Sequence, residues 1–391
     1  MYKFKEDNMT VPCYVWSGKG SIEQGAVDQI KNASSLPFVF HHTALMADAH
    51  QGYGVSIGGV VALKDVVCPS MVGVDIGCGM MATRTSLTDI DIPTLKTIMG
   101  HIRNVVPVGF AHNKEKDVDS MPDDIPSFPS SVVEREFNKA QYQVGTLGGG
   151  NHFIEIQKGS DGFVWVMVHS GSRNLGKQVA DHYNKIAIDL NAKYFSAIPK
   201  EWDLAFLPID SKEGIQYYKE MEYCVEFALA NRQVMMHKIV DIIANEWSGD
   251  VQFNSTINIA HNYAKMEHHF GQNVLVHRKG ATSARDGELG IIPGSQGTSS
   301  YIVKGKGNTE SFMSCSHGAG RKMGRNVARK TLNLVEEQDR LNSRGIIHAI
   351  RGIEDLDEAS GAYKDIAVVM EEQSDLVAIE VKLEPLAVIK G

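Results

Sequence analysis

Apolar residues along this chain gather in short runs of β type: Phe38 to Phe40, Gly59 to Leu63, His152 to Ile156, Val164 to Val168 and Asn273 to His277. Runs of this length, bounded by glycine and polar residues, predict buried strands. Another period governs residues 214–247, where Tyr218, Met221, Val225, Leu229, Met235, Ile239 and Ile243 recur at helical spacing. That pattern predicts a long amphipathic helix, and residues 176–193 and 318–335 predict two more. Glycine clusters at 52–59, 73–79, 145–150, 171–176, 280–297 and 305–324 punctuate these elements. They predict tight turns and places where backbone comes close to a neighbour. Residues 111–130, with DSMPDDIPSFPSS, predict an exposed loop and form the only internal seam. Polar clusters on both sides predict one interdependent domain over 1–391, with a variable insertion around 104–131. The expected architecture is α+β: a single large mixed domain, β-sheets flanked by helices, glycine-rich loops converging on one site.

Composition narrows the class. With 391 residues, 43% hydrophobic and 22% charged, the chain is far from a disordered composition. No apolar run approaches the roughly 18–20 residues of a membrane span. The opening MYKFKEDNMTVPCY lacks the apolar stretch of a signal peptide. Five scattered cysteines do not make a disulfide framework. A cytoplasmic location and no membrane partner are expected. The net charge of −8, from 39 basic and 47 acidic residues, argues mildly against nucleic acid when taken alone.

Candidate chemistry changes that picture. VGVDIGCGMM sets Asp75 and Cys78 three residues apart in a glycine-rich turn. GTLGGGNHFIEI carries Asn151, His152 and Glu155; WVMVHSGSRNLGK carries His169 and Arg173; INIAHNYAKMEHHFG carries His261. Each alone reads as readily as a turn residue or a satisfied core histidine. Together Asp75, Cys78, His152, His169 and His261 make a nitrogen, oxygen and sulfur set beside glycine loops. That mixture suits a borderline divalent metal such as Mn2+, Zn2+ or Fe2+ better than Mg2+ or Ca2+. GSRNLGK follows a nucleotide-loop spacing up to its lysine, but Gln178 stands where Ser or Thr is needed. SFMSCSHGAGRKMGRNVARK places His317 at an expected helix start, with Arg321, Arg325 and Arg329 at four-residue spacing along one face. With no acid between 318 and 331, that face predicts binding of an anion or an RNA backbone; a solvated basic face is the plain alternative. In MADAHQGYG, Asp48 reads either as a carboxylate that orients a histidine or as a turn aspartate.

The ordered motifs DAHQGYG, VGVDIGCGM, GTLGGGNHFIE, HSGSR, HNY, RKGA, PGSQG, SHGAGR, AYKDI and a C-terminal KG resemble the RtcB family from about Pro37 to Gly391. The resemblance implies a GTP- and manganese-dependent RNA ligase. Such an enzyme joins RNA 3′-phosphate or 2′,3′-cyclic phosphate ends to 5′-hydroxyl ends, in tRNA splicing or in repair of cleaved tRNA or rRNA. It implies two Mn2+ ions sharing Cys78, with His169 and His261 at one and Asp75 and His152 at the other. It implies a guanylylated His317 oriented by Asp48. GTP would be gripped by Asn151, Glu155, Ser300, Arg321, Tyr363 and Lys390, and RNA or nucleotide phosphate by Arg173, with Arg325 on the same basic face. MADAH replaces the commoner MPDVH, and residues 104–131 bear little likeness to the family, which bears on substrate choice. The physiological RNA and any helper protein stay open. The rival readings are a metal-dependent phosphohydrolase or nuclease acting on RNA ends, and a silent RNA-binding protein.

Overall fold

The computed structural model describes residues 1–247 and 249–391. Its central element is a seven-stranded antiparallel sheet. In spatial order the strands are Phe253–Ala260, Gly79–Thr85, Val164–Ser170, Phe153–Gly159, Val377–Lys390, Ser300–Gly305 and Leu289–Ile292. Side chains alternate across it with period two. Met81, Ile154, Ile156, Val166 and Val168 face the helices, whereas Met80, Ala82, Trp165 and Met167 pack on the opposite face with Ile257, Ile291 and Ile302. Both faces are therefore buried, which accounts for the near-continuous apolar runs in these strands.

The helical cover is Ile92–Val105 together with Lys212–Glu246. The latter realises the expected long helix, capped at its start by Ser211 Oγ, which accepts from Gly214 N. Its buried stripe is wider than the periodicity indicated and takes in Cys224, Phe227, Asn231 and Arg232. A second helix, Arg173–Lys193, matches the expected 176–193 and packs alongside.

A six-stranded sheet runs Tyr2–Phe4, Cys13–Val15, Val39–His50, Ile57–Leu63, Gln272–Lys279 and Asn262–His269. All its pairings are antiparallel except Cys13–Val15 with Val39–His50. Strand Phe253–Ala260 lies in the seven-stranded sheet and the next strand, Asn262–His269, in the six-stranded one, so His261 sits at the joint between them.

The expected helix over 318–335 is not formed. Residues 318–324 are loop, and two short helices follow, Arg325–Thr331 and Leu334–Asn342. Gly320 is the physical reason: its φ is +72°, and a Cβ there would lie 2.0 Å from the Asp48 carbonyl oxygen. The segment is pressed onto the Asp48 strand in a conformation that helix cannot supply. The 111–130 stretch lacks helix and strand, as expected. Among the described residues no helix is long and apolar enough to cross a membrane.

Candidate active site

Sheet register assembles the candidate ligands. Gly79 lies opposite both Ser170 and Ala260, and Phe153 lies opposite His169. Cys78, His169, His152 and His261 consequently meet at one end of four neighbouring strands. Close approach of the strands here requires glycine, because a Cβ on Gly79 would lie 2.0 Å from Ile259 O.

Cys78 Sγ is 3.3 Å from His169 Nε2 and 3.5 Å from His152 Nε2, and all three residues are buried. The far ring nitrogens are committed to backbone carbonyls: His152 Nδ1 to Leu147 O at 3.0 Å, His169 Nδ1 to Asn151 O at 3.1 Å. With Nδ1 carrying the proton in each ring, Nε2 presents a lone pair toward the thiol. Asp75 Oδ2 lies 3.1 Å from His152 Nε2. The His261 ring stands 5.3 Å from that of His169 and 4.8 Å from that of His317. Its Nδ1 is buried without a hydrogen-bond partner among the described residues.

Electrostatics match a ligand set. Burial holds His169 and His261 well below their ordinary values, reinforced by neighbouring imidazoles, so both are neutral. Burial and then the Asp75 charge push the Cys78 thiol up, a proton that a bound cation displaces. Neutral imidazoles, one thiol, one carboxylate and an orphaned buried nitrogen fit a borderline divalent metal.

His317 follows the short strand Ser314–Ser316, which pairs with Ala281–Ser283; it does not start a helix. Its Nδ1 is in close contact, 2.6 Å, with Oδ2 of the fully buried Asp48, and that oxygen accepts from the backbone N–H groups of His317 and Gly318. Burial opposes the Asp48 charge, but His317, His50 and Lys364 outweigh it and hold the carboxyl below its ordinary value. Nε2 is left as the ring nitrogen available to a group in the cleft.

That cleft encloses about 870 Å³, within the roughly 300–1,000 Å³ of small-molecule sites. Asn151, Glu155, Arg321, Arg325, Tyr363 and Lys390 line it together with His169 and His317. Burial raises the Glu155 carboxyl to about 8, against opposing pulls from Lys390 and Gln157.

Two predicted residues fall elsewhere. Ser300 is buried beneath the rim, its Oγ accepting from Gly294 N; Ser295, from the same PGSQG segment, is in the wall. Arg173 lies behind the glycine loop, donating to Thr146 Oγ1 and Gly109 O, and is not among the lining residues.

The basic helical face is also corrected. Arg321 belongs to the loop and donates to Asp357 O and Glu358; Arg325 pairs with Asp357 at 2.7 Å and Glu358 at 2.9 Å; Arg329 pairs with Asp357 at 3.1 Å. No acid is near in sequence, but the segment Ile353–Glu358 supplies carboxylates in space. Glu358 was not anticipated from sequence, yet it also receives Lys390 Nζ at 2.8 Å and the Tyr363 hydroxyl at 2.6 Å. Burial opposes its charge, but Lys390, then Arg325, and the Tyr363 hydroxyl hold it below its ordinary value. The acidic run GIEDLDEASG was its only sequence signal.

Comparison with known proteins places this arrangement. Residues 29–128 and 122–391 match the family model for tRNA-splicing ligase RtcB. The chain is 37% identical to the RNA-splicing ligase RtcB of Escherichia coli K12 over 97% of each chain. It is 31% identical to the tRNA-splicing ligase RtcB of Thermococcus kodakarensis over 99% of this chain and 96% of that one. It is 34% identical to RNA-splicing ligase RtcB homolog 1 of Entamoeba dispar over 93% and 82%.

Proposed function

The chain belongs to the RtcB family, and on that premise we propose that it is a metal-dependent RNA ligase joining 3′-phosphate or 2′,3′-cyclic phosphate ends to 5′-hydroxyl ends with GTP. The observation that carries this reading is one cleft holding a histidine braced by a buried carboxylate beside a thiol–imidazole cluster. The metal dependence rests on that cluster; Mn2+ as the ion and GTP as the nucleotide are part of the proposal. Cys78 would be shared by two Mn2+ ions, with His169 and His261 for one and Asp75 and His152 for the other. When bound, they supply neutralisation of charge on the reacting phosphates.

His317 Nε2 attacks the α-phosphorus of GTP; the P–N bond forms as the α–β bridging P–O bond breaks and pyrophosphate leaves. Asp48, ionised and fixed by two backbone N–H groups, keeps the ring oriented and stabilises the positive charge that develops on it. A 2′,3′-cyclic phosphate end would first be opened by water, which adds to phosphorus as the P–O2′ bond breaks and the 2′-oxygen leaves as a hydroxyl. An RNA 3′-phosphate oxygen then attacks the same phosphorus of the guanylyl group, breaking the P–N bond and restoring His317. The 5′-hydroxyl of the second RNA attacks the activated 3′-phosphorus, losing its proton as GMP departs. Asn151, Arg321, Tyr363 and Lys390 present donors to the nucleotide, and Glu155, protonated at neutral pH, both donates and accepts. Arg325, partly exposed in the cleft wall, is positioned for RNA or nucleotide phosphate. Ser300 and Arg173 would act from behind the wall. A single 391-residue unit in a reducing cytoplasm, acting on tRNA or rRNA ends, completes the reading.

GTP labelled at the α-phosphate, supplied with Mn2+, is expected to leave an acid-labile, hydroxylamine-sensitive label on the protein and none on His317→Ala. A labelled His317→Ala, or unlabelled wild type that still processes RNA ends, sinks the ligase reading in favour of a phosphohydrolase or nuclease.

A further inference from the structure

Behind the ligand cluster, the long helix Lys212–Glu246 presents two adjacent polar side chains, Asn231 and Arg232, both completely buried. Arg232 Nη1 donates to Gly77 O at 3.0 Å and Ser170 O at 2.8 Å, the residues immediately adjoining Cys78 and His169. Its Nε donates at 2.8 Å to Asn258 Oδ1, in the strand that delivers His261. Asn231 Oδ1 accepts from Gly145 N at 2.8 Å and Thr146 N at 3.1 Å. Those residues lead into Leu147, whose carbonyl takes the His152 Nδ1 proton. Asn231 Nδ2 donates to Ser170 Oγ and Gly171 O.

Strand ends that turn away to present ligands leave backbone groups outside the sheet ladder, and a buried group of that kind must find another partner. One dipeptide satisfies such groups on the segments bearing Cys78, His169 and His152, and reaches the His261 strand through the Asn258 side chain. A hydrophobic pair could fill the same volume, but it would strand these carbonyls and N–H groups. Arg232 is the charged member of the pair.

We infer that Asn231 and Arg232 are positioning residues of the metal centre, setting the spacing of the four ligand segments; the inference rests on the metal-centre reading given above. Neither side chain touches substrate. Their effect runs through the placement of Cys78, His169, His152 and His261.

The test is titration of the metal-free full-length protein with Co2+, read by the thiolate-to-cobalt absorption band and by thermal midpoint. Arg232→Met is expected to weaken Co2+ binding about ten- to one-hundred-fold and diminish the band, as loss of groups that orient metal ligands does. Arg232→Lys, which keeps the charge but not the fork, is expected to recover part of the affinity. Met235→Ala, on the same helix in its apolar core, is expected to lower the thermal midpoint yet keep the band and affinity. If Arg232→Met does not accumulate folded, Asn231→Asp takes its place, since it keeps the acceptor and loses the donors. Wild-type affinity and band in Arg232→Met, or in Asn231→Asp where it stands in, overturns the inference. So does an equal loss in Met235→Ala, which would reduce the pair to general packing. A wild type without a thiolate-to-cobalt band overturns the metal-centre reading itself, and the inference with it.

Discussion

The floor of the cleft and its wall are built on opposite physical plans. The floor is buried and built by register: Cys78, His152 and His169 meet through strand pairing, and each imidazole is locked by a backbone carbonyl. The wall is a network of opposite charges, in which Glu358 gathers Arg321, Arg325, Lys390 and the Tyr363 hydroxyl. A floor of this kind is preorganised, and a cation needs only to displace a proton. The wall is preorganised in another sense. Its cations are held close and paired, so an incoming polyphosphate competes with carboxylates already in place. Affinity for metal and affinity for nucleotide should therefore respond to different residues.

The largest expected effect is on the floor. Cys78→Ala removes the thiol that the proposed pair of metal ions would share and with it several kcal/mol of charge stabilisation. At about 1.4 kcal/mol per tenfold, guanylylation falls by roughly a thousandfold or more, with metal stoichiometry falling in parallel. Retained metal and labelling would end the shared-thiolate reading. On the wall, Lys390→Ala forfeits a charge-assisted contact worth about 1.5–3 kcal/mol, so the KM for GTP rises roughly ten- to one-hundred-fold while Co2+ affinity stays unchanged. A change in metal affinity would dissolve the distinction between floor and wall.

Glu155 lies between the two regions, and pH reads it. Its carboxyl is pushed from 4.5 to about 8 on folding. Between those values the unfolded chain has released the proton that the folded chain retains, so stability falls as pH rises through this window and levels off above about 8. In metal-free, nucleotide-free protein, Glu155→Gln is expected to narrow the drop in thermal midpoint between about pH 5 and pH 8. An unchanged drop would assign it to other groups. The smallest effect is expected at Ser300, whose hydroxyl braces Gly294 out of the cleft. Ser300→Ala should cost about 0.5–1.5 kcal/mol of stability with GTP KM nearly unaltered, whereas Ser295→Ala should raise it; the reverse order would restore Ser300 to the site.

The floor was the more legible region. Histidines and a cysteine beside glycine turns are unusual enough to mark themselves, and the strand Val164–Ser170 follows from its apolar run. Family motifs then supplied roles that spacing alone left open. The wall was legible only in part, because its character depends on pairs far apart in sequence. Arg321, Arg325 and Arg329 read as a free basic face until Asp357 and Glu358 arrive from some thirty residues downstream. Strand Val377–Lys390 escaped notice because Glu380, Lys382, Glu384 and Pro385 interrupt its apolar pattern. Asn231 and Arg232 fall on the buried side of a helix where hydrophobic periodicity carries no information about polar residues. Four-residue arginine spacing suggested helix, but it does not outweigh Gly320 at positive φ against Asp48 O.

The sheet register that assembles the ligands also orders events in time. Gly79–Thr85 must find Phe253–Ala260, and Phe153–Gly159 must find Val377–Lys390, before the ligand ends are aligned. Such distant pairings close late in folding, because the entropy of the long intervening loops is lost before the contacts repay it. An emerging chain therefore offers metal ions only isolated imidazoles and thiols. The candidate metal cluster is thus a product of the completed sheet rather than of any one segment of it.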